Sequence, residues 1–170
     1  MPDKPLRIEQ GFPPLLGLTP HTIILGSMPS IKSLEQQQYY AHPRNAFWPI
    51  MAELFNFDTA SSYQQRCTAL KQHHIVVWDV VKSGQREGSL DQNIHSSDLT
   101  LNDFDNLFTT YPTITKVFFN GAKSESLFKS VLPILSSEFQ TLSMQRLPST
   151  SPAHAAMTFE QKLRAWRVIL

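Results

Sequence analysis

The chain has 170 residues, of which 41% are hydrophobic and 17% are charged. This length and composition predict one compact domain over residues 1–170, with a full core, and exclude a disordered or repetitive protein. Fifteen Lys and Arg against fourteen Asp and Glu give a net charge of +1, which is not a nucleic-acid signature by itself. Hydroxyls and backbone N–H groups also bind phosphates, so this neutrality weakens a nucleic-acid interpretation without excluding it.

The apolar runs are short, and the polar residues 1–10 are not followed by a long apolar segment. We therefore expect no membrane helix, no secretory signal and a cytoplasmic location, with no membrane as a partner. Cys67 is the single cysteine, which excludes an internal disulfide and a cysteine-rich metal site and predicts a packing role. Six histidines leave a histidine site formally open. We nevertheless predict no metal, no cofactor and a monomer.

The predicted elements alternate between strands and helices along the chain. After a proline-rich entry, residues 22–26 form an apolar run ended by a glycine, which is typical of a buried strand. A helix is predicted over residues 45–55, and a second one opens at Ser61 with Gln64 at capping-box spacing. A strand over residues 74–78 follows.

The second half continues in the same order. Residues 101–108 are predicted helical, 116–120 a strand, 124–132 helical and 141–147 a less clear strand. Thr158 and Gln161 form a capping box that opens a last helix. This alternation predicts an α/β fold, a three-layer α/β/α sandwich with a four-stranded parallel sheet, and places any ligand at the carboxyl ends of the strands.

Four loops follow those predicted carboxyl ends: residues 26–48, the segment after Trp78, residues 120–121 and residues 148–154. The first opens as Gly26-Ser27-Met28-Pro29-Ser30, a tight turn able to point N–H groups at a ligand, although an ordinary strand-to-loop turn would have the same composition. Its later part, residues 39–48, combines aromatics, histidine, arginine and asparagine within ten positions. That mixture favours a binding site over a purely structural loop.

Three blocks together resemble the hypoxanthine-DNA glycosylase branch of the uracil-DNA glycosylase superfamily. They are Gly26-Ser27-Met28-Pro29-Ser30, then Tyr40-Ala41-His42-Pro43-Arg44-Asn45-Ala46-Phe47-Trp48, then Ser149-Thr150-Ser151-Pro152-Ala153. The motifs at residues 78–81, 86–91 and 119–122 also resemble that branch, so the similarity covers nearly the whole chain. Its fold, a four-stranded parallel sheet flanked by helices, agrees with the one predicted from the element order.

The resemblance implies an enzyme that flips a deaminated base out of DNA and hydrolyses its N-glycosidic bond. The resemblance to this branch favours hypoxanthine, with uracil as the next candidate. Hypoxanthine, uracil and xanthine differ by few groups, and pocket shape decides among them. Such cleavage passes through an oxocarbenium-like sugar, so a site can hold the departing base as an anion and place a water beneath the sugar. We also predict a monofunctional enzyme, because no lysine stands in the proposed pocket motifs to form a Schiff base with the sugar, the nearest in sequence being Lys32.

Asn45 is the predicted catalytic residue, because the resemblance implies that its amide orients the water or the sugar. The alternative is a helix N-cap, a position that asparagine fills well. Other branches of the superfamily place Asp or Asn where Met28 stands, and a thioether cannot handle water in that way. Because Met28 replaces that polar residue, Asn45 is expected to orient the water.

The predicted substrate-binding residues are Gly26, Ser27, Met28, Tyr40, Phe47 and Asn120. Tyr40 aligns with the aromatic residue that stacks on the flipped base in related branches, but it could instead close the core. Asn120 matches an asparagine that reads a base edge with its donor and acceptor, but Asn before Gly121 also favours a turn.

The predicted DNA-binding residues are Ser30, Arg44, Ser149, Thr150, Ser151, Pro152, Ala153 and His154. The loop at residues 149–154 suits phosphate contacts, although it could equally be a solvated Ser/Thr loop. Superfamily members often place a histidine where Ser149 stands and an apolar wedge where Ala153 stands. Backbone groups are therefore expected to stabilise the departing base, and the ring of His154 is a candidate to fill the gap in the duplex. Otherwise His154 lies exposed in the first turn of the last helix.

Two other readings stay open at this point. Ser151, His154 and Asp79 supply the residue types of a hydrolase triad, but there is no Gly-x-Ser-x-Gly elbow and Ser151 lies only three residues from His154. A non-catalytic nucleotide- or nucleic-acid-binding module would share the fold class, but the glycine patterns of phosphate-binding and dinucleotide-binding loops are missing.

Overall fold

The computed structural model describes residues 8–86, 89–94 and 99–170. Its strands are β1 (Ile8–Gln10), β2 (Thr22–Gly26), β3 (Ile75–Asp79), β4 (Val81–Gln85), β5 (Thr100–Leu101), β6 (Lys116–Asn120) and β7 (Ser143–Leu147). Its α-helices are α1 (Ile31–Gln36), α2 (Phe47–Phe55), α3 (Tyr63–Gln72), α4 (Phe104–Thr110), α5 (Ala122–Phe128) and α6 (Phe159–Trp166). Short 3-10 helices span Asp91–Asn93, Leu132–Ile134, Ser137–Thr141 and Arg167–Ile169.

The central sheet contains four parallel strands in the order β3-β2-β6-β7. The chain leaves β2 toward β3 on one side and returns to β6 on the other, so the strand order reverses at β2. Gly26 is level with Asp79 at the carboxyl edge, and Asn120 is level with Leu147. Open α/β sheets bind ligands at such a switch point, so the architecture positions a site beside Gly26 and Asn120.

The alternation of side chains along each strand builds one apolar cluster on each face of the sheet. Ile23 and Leu25 of β2 face the cluster that includes residues of α4 and α5, whereas Ile24 faces the one that includes residues of α2, α3 and α6. Both faces are therefore covered by helices, as parallel sheets require. The predicted three-layer α/β/α fold with a four-stranded parallel sheet is confirmed.

Several predicted boundaries need correction. The capping box predicted at Ser61 and Gln64 consists instead of Ser62 and Gln65, one residue later, because the Ser62 hydroxyl accepts the N–H of Gln65 at 3.2 Å. Residues 100–101 form β5 rather than the start of a helix, and residues 137–141 form a 3-10 helix before the last strand. The box of Thr158 and Gln161 is confirmed.

The antiparallel sheet β1-β4-β5 and helix α1 were not predicted. Their segments are short and carry no clear apolar period, so their structure depends on tertiary contacts. Cys67 is buried on α3 in the apolar cluster, in agreement with its predicted packing role. Within the described ranges, no helix has the length and apolar character needed to cross a bilayer.

Candidate active site

A cavity of about 420 Å³ opens at the carboxyl edge of the central sheet. Small-molecule sites commonly enclose about 300–1,000 Å³, so the cavity has the size of a ligand site. Most of the predicted site residues line it, namely Gly26, Ser27, Met28, Ser30, Tyr40, Asn45, Asn120, Ser149, Thr150, Ser151, Pro152, Ala153 and His154. Arg44 lies outside the lining on the exposed surface, and Phe47 lies behind it with no exposed surface. The structure therefore gathers the sequence-predicted loops around one cavity.

The turn after β2 is held against the end of β3. The carbonyl of Gly26 accepts the N–H of Val80 at 2.9 Å, and that of Ser27 accepts the N–H of Val81 at 3.0 Å. A Cβ on Gly26 would overlap Oδ1 of Asp79 and would lie 3.0 Å from the hydroxyl oxygen of Tyr40. A larger residue is therefore excluded at Gly26 by the two polar side chains that approach its Cα.

The segment after β4 forms a wall of the cavity that the resemblance did not assign to the site. The guanidinium of Arg86 donates to the carbonyl of Pro29, and the hydroxyl of Ser89 accepts the N–H of Ile31 at 2.9 Å. The hydroxyl of Ser27 donates to Oδ1 of Asp91 at 2.5 Å. These contacts fix the loop after β2 from the outside. Glu87 and Gly88 of the same motif lie outside the described residues.

Tyr40 lines the cavity as a half-buried residue with a left-handed backbone, φ 53°. Its ring stacks on Phe47 with 4.0 Å between centroids, so Phe47 supports Tyr40 instead of facing the cavity. The adjacent backbone is anchored because Trp48 Nε1 donates to the carbonyl of Tyr39 at 2.8 Å. The proton of the buried Tyr40 hydroxyl has no acceptor among the described residues, and the nearby side-chain amide of Asn120 lowers the pKa of Tyr40 as a hydrogen-bond donor would. Burial and then the charge of Asp79 raise its pKa far above the ordinary value, so the hydroxyl is a neutral donor.

Asn45 lies one position before the N-cap of α2 and has a half-buried side chain. Its Oδ1 accepts the N–H of Phe47 at 2.9 Å, which satisfies one of the free donors at the start of the helix. This is the only hydrogen bond of its side chain among the described residues, so Nδ2 keeps its two donors beside the cavity. The side chain thus combines the capping role with a position from which it can contact a ligand.

Asn120 is joined to the opposite loop by a reciprocal pair of hydrogen bonds. Its Nδ2 donates to the hydroxyl of Thr150 and its Oδ1 accepts the backbone N–H of Thr150, both at 2.9 Å. The next residue, Gly121, has φ 94°, and a Cβ there would lie 3.0 Å from Cβ of Ser149. Gly121 is the N-cap of α5, so the chain passes from β6 into the helix at this glycine. The amide also sets the distance between β6 and the 149–154 loop.

Two side chains of α6 donate hydrogen bonds that anchor the 149–154 loop and the residue before it. Trp166 Nε1 donates to the carbonyl of Pro148 at 2.9 Å, and Nζ of Lys162 donates to that of Ser151 at 3.3 Å. Burial lowers the pKa of the Lys162 amine, but Lys162 does not line the cavity. The placement of His154 in the first turn of the last helix is wrong, because α6 begins at Phe159. His154 is a half-buried loop residue that borders the cavity.

Asp79 is a lining residue whose carboxyl group has a pKa far from its ordinary value. It is 4% exposed, and its Oδ2 has no hydrogen-bond partner among the described residues. Burial, followed by repulsion from Asp91, raises the pKa of Asp79 to about 7, while the nearby charge of Arg86 opposes the shift. Sequence reasoning considered Asp79 only for a hydrolase triad. Its place at the carboxyl end of a strand was the signal that could have assigned it to this site.

The triad reading finds no support in the geometry. The Ser151 hydroxyl accepts the N–H of Ala153 at 3.2 Å, and the described contacts include no hydrogen bond that links the side chains of Ser151, His154 and Asp79. Across residues 8–86, 89–94 and 99–170, no group of three or more His, Cys, Asp or Glu side chains could hold a metal ion. The absence of a metal requirement stays a prediction.

Comparison with known proteins identifies the family. The "Uracil DNA glycosylase superfamily" matches residues 13–169. A hypoxanthine DNA glycosylase of Methanosarcina barkeri is 42% identical over 117 residues, 68% of this chain and 73% of that protein. The protein of the same description from Methanosarcina acetivorans is 38% identical over 118 residues, which cover 69% and 73% of the two chains.

The fold agrees with a solved structure as well. The solution NMR structure of a Methanosarcina acetivorans protein, described as a candidate uracil DNA glycosylase, superposes with a TM-score of 0.80. The two chains are 31% identical, and the match covers 96% of each. This chain belongs to the uracil DNA glycosylase superfamily.

Proposed function

We propose that the protein is a monofunctional DNA glycosylase that releases hypoxanthine from DNA by hydrolysing its N-glycosidic bond. The single observation that carries the proposal is the convergence of Asn45, Tyr40 and Asn120 on one cavity at the switch point of the sheet. The similarity to two hypoxanthine DNA glycosylases, 42% and 38% identical, supports the choice of base.

The chemistry requires an extruded nucleotide, because neither face of the sugar is accessible to a side chain while the base is stacked in DNA. The cavity receives the base, and Asn45 lies at its margin beside the sugar. Its Oδ1 has a second lone pair besides the one used by Phe47, and its Nδ2 has two donors. The amide can therefore orient a water toward C1′ while the helix start holds it in a fixed rotamer.

The DNA backbone is proposed to run over the rim of the cavity. Arg44 is exposed beside it and can contact a phosphate, while the 149–154 loop presents hydroxyls and backbone N–H groups. Phe47 contributes through the support of Tyr40, since it has no exposed surface for a base. His154 borders the opening after the small Ala153, so its ring is placed to occupy space left by the extruded base.

An excision panel tests the proposal. Strands carrying a single hypoxanthine, uracil, xanthine or adenine are incubated with excess protein, and abasic sites are detected as breaks after alkali treatment. We expect hypoxanthine to be excised fastest and adenine to remain. Intact hypoxanthine strands after incubation with folded protein would overturn the proposal, and faster release of uracil would overturn the assignment of the base.

A further inference from the structure

The cavity contains two buried polar groups that the protein itself leaves without partners. Oδ2 of Asp79 has no hydrogen-bond partner among the described residues, and the proton of the Tyr40 hydroxyl has no acceptor among them. Both side chains line the cavity, and both approach the Cα of Gly26 from the same side. A buried polar group without a partner is costly, so a pair of them in a ligand-sized cavity indicates that the ligand supplies the partners.

Whether the two groups donate or accept hydrogen bonds determines which atoms the ligand must present to them. The Tyr40 hydroxyl is a donor, because its buried phenol stays neutral. A buried carboxyl beside a second carboxyl, Asp91, is most stable as the neutral acid, which is also a donor. Two adjacent donors require two adjacent acceptors.

We propose that Asp79 and Tyr40 bind the O6/N7 edge of the extruded hypoxanthine and that Asp79 acts as the general acid that protonates the departing base. This inference rests on the proposed function. Hypoxanthine shares the O6 and N7 acceptors of guanine, whereas adenine has N7 and an N6 amino donor at the same edge. A two-donor site therefore accepts the deaminated base and opposes its parent, because the amino group of adenine would face a donor.

The proton balance is that of a hydrolysis. As the C1′–N9 bond breaks, its electron pair stays on the base and the proton of Asp79 moves to N7. The oxygen of the water oriented by Asn45 bonds to C1′, and that water releases a proton to the solvent. Asp79 then regains a proton from the solvent after the base has left. The acid thus neutralises the charge that develops on the leaving group.

The environment of Asp79 sets the expected pH dependence. The titratable groups that interact with it are Asp91 from the 3-10 helix, Arg86 after β4, and Tyr39 and Tyr40 from the loop before α2. The active form is the protonated acid, and its pKa is raised to about 7. The rate should therefore be full at acidic pH and fall through neutrality, by about tenfold between pH 6 and pH 8.

The test measures single-turnover excision of hypoxanthine between pH 5 and 8 by the wild-type protein and by Asp79→Asn. We expect Asp79→Asn to retain its DNA binding, to lose about a hundredfold or more in rate at pH 6, and to lose the decline toward pH 8. Glu53→Gln, an exposed change on α2 outside the cavity, is the matched control and should keep the full rate and its pH profile.

His42 and His154 are the two histidines that also line the cavity. The variants His42→Gln and His154→Gln should therefore keep the decline in rate toward pH 8. A rate for Asp79→Asn within threefold of wild type, or an unchanged pH profile in that variant, would overturn the inference. If Asp79→Asn does not fold, a wild-type rate that is flat from pH 6 to 8 would also overturn it. Loss of all excision by the wild-type protein would instead refute the proposed function.

Discussion

Replacing Asn45 with alanine should remove two separable contributions, a helix cap and a group that acts on the substrate. The cap is the hydrogen bond from the N–H of Phe47 to Oδ1 of Asn45, 2.9 Å long. Loss of such a cap costs about 1 kcal/mol, which for a domain of this size lowers the melting temperature by about 2–4 °C. Domains are stabilised by about 5–15 kcal/mol, so the variant stays almost entirely folded at 25 °C.

The effect on chemistry should be much larger than the effect on stability. Removing one positioned polar group from an active site lowers turnover by about a hundredfold or more. Single-turnover excision of hypoxanthine with excess enzyme isolates this step from product release. Asn45→Asp provides a second arm, because it keeps the capping oxygen but loses the amide donors. It should therefore retain the melting temperature and still lose most of the rate.

Ser62→Ala is the matched control, since Ser62 caps α3 with a hydrogen bond of 3.2 Å and does not line the cavity. It should lower the melting temperature by a similar amount and leave the excision rate unchanged. If Asn45→Ala lost no more activity than Ser62→Ala, the reasoning would be refuted and Asn45 would be a helix cap alone.

Three further predictions concern the rest of the site. Asp79→Asn should stabilise the fold against urea by up to about 4 kcal/mol at pH 8 and by nothing near pH 4. Folding raises the pKa of Asp79 from 3.8 to about 7, so the protonated side chain contributes stability that is fully present below pH 4 and is lost as pH rises through 7. Equal urea unfolding curves for the wild-type protein and the variant at pH 8 would contradict the burial argument. His154→Ala should impair excision from duplex DNA about tenfold more than from single strands, because only a duplex has a gap to fill; equal losses would return His154 to a surface role. Borohydride should trap no covalent adduct, since Lys162 lies beneath the loop and outside the cavity lining; a trapped complex would require a nucleophile, and Lys162→Ala would identify it.

Strands β2, β3 and β6 of the central sheet were predictable because they are buried on both faces and therefore consist mostly of apolar residues, as in 22–26 and 116–120. The edge strand β7 is mostly exposed and has no such run, so its sequence signal was weaker. The order of loops at the carboxyl edge followed from the alternation of strands and helices. The small antiparallel sheet was not predictable, since β5 has only two residues and is defined by its pairing with β4.

The site was predicted in outline but not in its electrostatics. The motifs placed Asn45, Tyr40 and Asn120 together, while the engagement of the Asn120 amide by Thr150 depends on a contact 30 positions along the chain. The role inferred for Asp79 arises from burial beside Asp91, and no local pattern in the sequence reports the burial of a carboxyl. Phe47 was predicted to bind substrate because it belongs to a family motif, but the orientation of α2 places its ring behind that of Tyr40.

The central claim is that the protein breaks only the bond between hypoxanthine and its sugar. Mass spectrometry of the products from a strand with one deoxyinosine tests it most directly. We predict free hypoxanthine and an unbroken strand that carries one abasic site, with no base released by Asn45→Ala on the same timescale. A nicked strand with hypoxanthine still attached would contradict this account.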